Sequence, residues 1–132
     1  MKNPGEVQRH REQLLAMILE LQTHRIILDE LVNCYGVFLF TGGVVPREPW
    51  GLVAMTSYLQ RPFAVARIST AAVQRYRQVA EEIMELGQAV TAGARPRSRR
   101  CRYDIAERFG RESAEIRALG STLESALAKL VA

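Results

Sequence analysis

Residues 6 to 35 contain neither Gly nor Pro, and no other feature constrains the fold as much. Thirty residues without a breaker, with apolar side chains at helical spacing, predict one long helix. Leu14, Ile18, Leu21, Leu28, Val32 and Tyr35 step by fours and threes, with Arg25 at the one missing position. A second stripe, Leu15, Leu19, Ile27 and Leu31, runs beside the first. A helix that is apolar on two sides needs two partners. The rest of the chain supplies one, and a second copy of the chain can supply the other. At about 1.5 Å per residue the segment spans roughly 45 Å, longer than a compact domain of this size.

The chain has 132 residues, a single-domain length, and 48% of them are apolar, enough for a sizeable core. No apolar run reaches the roughly 18 residues of a membrane span. The polar start, Met1 to Glu6, predicts no signal peptide, and Cys34 with Cys101 reads as two thiols of a cytoplasmic protein. The charge is uneven. Sixteen of the eighteen basic residues are Arg, and nine of those lie between 61 and 102 against three Glu. This third carries +6 and the remainder −2, a pattern that suits a polyanion such as nucleic acid.

Gly36, Gly42, Gly43, Pro46 and Pro49 interrupt the first helix, and Val37 to Phe40 reads equally as a short strand or a last helical turn. Residues 50 to 60 read as a short helix stopped by Pro62. The next helix starts at Ser69 or Thr70 and ends at Leu86, with Gly87 as its C-terminal glycine. Gln88 to Ala92 and Cys101 to Tyr103 read as two short strands around an arginine loop, Gly93 to Arg100. Asp104 and Glu107 form a capping-box-like start for a last helix, about Ile105 to Val131.

Catalytic patterns are absent: there is no phosphate loop, dinucleotide fingerprint or HExxH. His10 and His24 lie roughly 21 Å apart on one helix, too far to share a metal, and read as solvated surface residues. The expectation is a non-enzyme without cofactor or metal. The centre of the chain fits duplex DNA better. A short helix, a turn and a helix opening Ile68-Ser69-Thr70-Ala71-Ala72-Val73-Gln74-Arg75-Tyr76-Arg77 have helix-turn-helix order. Gln74, Arg75 and Gln78 would face base edges, with Arg67, Ser69, Thr70 and Arg77 near the phosphates. Arg95, Arg97, Arg99, Arg100 and Arg102 would form a basic wing along the backbone or in the minor groove.

The order long helix, helix-turn-helix, basic wing, long helix resembles the winged-helix regulators of the MarR (multiple antibiotic resistance regulator) family. The stretch Ile68 to Tyr76, ending at Gly87, resembles that family's recognition helix. The resemblance implies a mainly α fold with a small β-hairpin wing and long N- and C-terminal dimerisation helices. Residues 6–35 and 105–131 would dimerise, and 50–103 would form the DNA-binding lobe. It also implies a homodimeric, sequence-specific transcription regulator with Arg97, Arg99 and Arg100 at the wing tip. A crevice near Phe38, Phe40, Trp50 and Tyr58 would be the place for a small apolar ligand, and Cys101, flanked by two Arg, a place for oxidation. Two rivals stand beside this reading. One is a helical protein-interaction module without DNA binding. The other is RNA binding, for which only Tyr76 and Tyr103 offer stacking rings.

Overall fold

A computed structural model describes residues 3–43, 49 and 51–131 of the chain. Its elements are α1 (Pro4–Thr41), α2 (Leu52–Leu59), a 3-10 turn (Ala64–Arg67), α3 (Thr70–Thr91) and α4 (Arg99–Val131). Among the described residues there is no strand, so the expected β-hairpin wing does not form. The mainly α expectation holds.

α1 begins at Asn3, whose side chain accepts the Glu6 N–H at 2.8 Å, with Pro4 in the first turn. It runs six residues beyond Tyr35, through Gly36, because Phe38 and Leu39 still reach the core. Gly42, with φ 67°, ends it by donating its N–H to the Phe38 carbonyl at 2.8 Å. The two expected stripes are redistributed. Leu14, Ile18, Leu21, Ile27, Leu28, Leu31 and Tyr35 are buried, whereas Leu15, Leu19 and Val32 stay exposed. A strict seven-residue repeat drifts by about 20° per heptad on a straight helix, so no single stripe stays inward over this length. His24, not Arg25, takes the inward position between Leu21 and Leu28.

α1 and α3 run parallel, and α4 returns antiparallel to both. Arg102 meets Leu39 and Arg117 meets Asp29 across α1 and α4; Arg75 meets Glu115 and Arg108 meets Glu82 across α3 and α4. Leu28, Leu31, Tyr35, Tyr76, Ile83 and Ile116 are among the core residues. The 3-10 turn is pinned to α1 by Glu20, whose carboxylate accepts the N–H groups of Ala64 and Val65 at 2.9 Å each.

The end of α3 and the start of α4 correct the sequence reading. Gly87 does not stop α3, which continues to Thr91. Gly87 is instead where α3 lies against the Tyr35 ring; a Cβ there would stand 2.2 Å from Tyr35 Cε1. The residues expected as a returning strand, 101–103, are the first turn of α4. Ser98 starts that helix, accepting the Cys101 N–H on its hydroxyl at 3.2 Å. The physical reason is packing. Leu86 and Ile105 are buried in the core and Val90 and Cys101 lie against it, a burial available to two adjoining helices but not to a lone hairpin.

Candidate nucleic-acid interface

The DNA-facing residues expected from the sequence fall into two groups at opposite ends of α3, whose 22 residues span roughly 33 Å. The first group surrounds its N-terminus. Arg67 is exposed at the end of the 3-10 turn. Ser69 precedes the helix without a side-chain capping bond, and the Thr70 hydroxyl donates to the Ala66 carbonyl at 2.7 Å. Gln74 and Gln78 face outward.

The two arginines of this helix are engaged within the chain. Arg75 Nε donates to Glu112 at 3.2 Å, and its Nη2 reaches both oxygens of Glu115 at 3.0 and 2.9 Å. These carboxylates hold the guanidinium proton more tightly than usual, Glu115 contributing most. Arg77 lies over the Phe63 ring, 4.8 Å from its centre. Further along the same outward face come Glu81 and Glu85, both exposed. A groove-reading helix gains from cations on this face, and here its middle is acidic.

The second group is the turn between α3 and α4. Arg95, Arg97, Arg99 and Arg100 are all exposed, two in the turn and two in the first turn of α4. Among the described residues none of the four has an ion-pair partner. Two arginines at a helix N-terminus oppose the helix dipole, so the free N–H groups and the guanidinium groups add to one positive potential. Arg102 behaves differently. Its guanidinium is buried, donating from Nε to the Leu39 carbonyl at 3.2 Å and from Nη1 to the Arg97 carbonyl. It thereby closes the C-terminal end of α1, where a cation is favoured, and orders the turn beneath the exposed arginines.

Beside this turn is a cleft of about 480 Å³ with Leu86, Val90 and Ile105 among its walls and Arg95, Arg97 and Cys101 at its side. Arg108, also on this cleft, is held by Glu82 at 2.7 Å and Asp104 at 3.1 Å. The aromatic residues expected around one crevice separate. Phe38 is buried, Phe40 sits on the surface against Tyr103, and Tyr58 packs on His24 and Phe63. Trp50 lies outside the described residues.

His24 was not legible as a core residue. It is fully buried between Tyr58, Phe63 and Tyr76, with its Nδ1 3.2 Å from the Tyr76 hydroxyl. Among the described residues no three His, Cys, Asp or Glu side chains could hold a metal ion together. No helix among them is long and apolar enough to cross a membrane. Comparison with protein-family models, curated proteins and solved structures gives no match for this chain.

Proposed function

We propose that this protein binds duplex DNA by its phosphate backbone, through the arginine turn that joins α3 to α4. The observation that carries the reading is the set of four exposed guanidinium groups at Arg95, Arg97, Arg99 and Arg100, none of them paired among the described residues. Phosphate oxygens accept hydrogen bonds from Arg in a planar, two-pronged geometry that a simple point charge lacks. The base-reading role expected of α3 has less support, because Arg75 already serves Glu112 and Glu115.

Titration of a labelled random-sequence duplex over a range of salt concentrations tests this. Four phosphate contacts give a log–log salt slope of about −3 to −4. Replacing Arg97, Arg99 and Arg100 together by Ala flattens that slope by about 3 and weakens binding to every sequence alike. Arg75→Ala leaves the slope unchanged. No binding at low salt, or binding indifferent to the triple substitution, defeats the proposal. A second reading, docking on a protein partner through the long helices, is favoured by the outward face of α1, which remains apolar and exposed.

A further inference from the structure

The geometry points to the outward face of α1 as a two-fold docking surface for a second, antiparallel copy of this chain. Leu15, Leu19, Ile26, Val37 and Phe40 are all exposed, Leu19 by 61% and Ile26 by 70%. At 100° per residue these five fall within an arc of about 60°, so they form one straight stripe rather than scattered surface residues. The stripe extends from Leu15 to Phe40, roughly 38 Å.

Its occupant is indicated by the way the stripe complements itself. Around a two-fold axis between Ile27 and Leu28, Leu15 of one copy stands opposite Phe40 of the other. Gln22 stands opposite Asn33, so apolar meets apolar and amide meets amide. Val32, Gly36, Leu39, Phe40 and Ala106 are among the residues around an apolar groove of about 110 Å³ that borders the Phe40 end of the stripe. Ile26 lies nearest the axis and packs on its own symmetry mate. The Asp29 carboxylate is drawn aside to Arg117 of α4 at 3.0 Å.

The area is sufficient. With Tyr103, whose ring lies tilted against Phe40 at 5.6 Å, the exposed apolar parts come to roughly 600 Å² per copy. Covering both faces removes roughly 1,200 Å², at the lower end of the range of stable protein interfaces. A second copy matches both the length of the stripe and its symmetric order, Leu15 against Phe40 and Gln22 against Asn33, with Ile26 nearest the axis.

Sedimentation equilibrium up to about 100 µM, without DNA, is the first test. The unaltered chain sediments as a dimer. Leu19→Glu and Ile26→Glu each sediment as monomers with unchanged helical circular dichroism, which exposed positions permit. Val53→Glu, on the equally exposed surface of α2, stays dimeric. The register is tested in a Cys101→Ser background. There Leu15→Cys with Phe40→Cys gives a disulfide-linked dimer on oxidation. Leu15→Cys alone gives none, since its two thiols stand roughly 37 Å apart. A monomer at every concentration overturns the proposal, as does a dimer untouched by both glutamate substitutions or cross-linked by the single cysteine. Because DNA is absent, these outcomes are independent of the phosphate-binding reading.

Discussion

At the residue scale, His24 shows how a side chain that looks like surface becomes a pH-dependent part of the core. Tyr58 from α2, Phe63 before the 3-10 turn and Tyr76 with Arg77 from α3 enclose it. Burial first, and the positive Arg77 second, push its pKa from 6.5 down to about 4. The Tyr76 hydroxyl is pushed up by burial and stays protonated, so it can donate to Nδ1 of a neutral imidazole. The buried Nε2 has no partner among the described residues. The folded pKa lies below the unfolded one, so the unfolded chain takes up this proton first. Stability from a neutral His24 is therefore whole above pH 6.5 and is lost as pH falls towards about 4. Between about pH 7.5 and about pH 4.5 this amounts to roughly 2–3 kcal/mol. Urea unfolding at the two pH values measures it, and His24→Phe should remove that share of the dependence. A His24 ring that titrates near 6.5 by NMR would sink the argument.

At the element scale, two glycines inside helices have opposite consequences. Gly87 lets α3 approach the ring of Tyr35, which is 1% exposed and cannot swing away. Gly87→Ala should lower stability by about 1–3 kcal/mol through overpacking, although Ala is the better helix former by about 1 kcal/mol. Gly110, on the exposed side of α4, has no atom within 4 Å of where its Cβ would go. Gly110→Ala should therefore stabilise by up to about 1 kcal/mol. Thermal unfolding of both variants decides the matter; a matching sign would contradict the packing account. The same elements show what was legible in the sequence. The long first helix could be read because it lacks breakers and repeats every three to four residues. Residues 88–103 were misread as a hairpin because Val90, Thr91 and Tyr103 have strand propensity and Gly87 mimics a helix stop. What decides there is non-local: Leu86 and Ile105 sharing one core, and Arg102 reaching the end of α1. Ser98 as a capping residue was the local signal for the correct helix start. For the site, the arginine turn was readable as charge. The engagement of Arg75 was not, since Glu112 and Glu115 lie 37 and 40 residues away.

At the scale of the whole molecule, the basic third of the sequence separates into two poles. Arg61, Arg67 and Arg77 gather near the start of α3, and Arg95 to Arg100 lie past its end, with Glu81, Glu82 and Glu85 between them. A duplex lying along α3 would meet carboxylates in the middle, at a cost that grows as salt is lowered. A duplex meeting the molecule end-on at the α3–α4 turn avoids them and faces four cations together with the N–H groups that open α4. Hydrogen–deuterium exchange with and without duplex distinguishes these modes by location rather than by affinity. Binding at the turn should slow exchange over residues 94–103, where Ser98 holds the N–H groups of Cys101 and Arg102 and those of Arg99 and Arg100 are left to donate to phosphate. Residues 61–78 should exchange at the same rate with and without DNA. Slowing confined to 61–78 would return the recognition role to the start of α3. It would also mean that DNA displaces Glu112 and Glu115 from Arg75, and Arg75→Ala would then weaken binding.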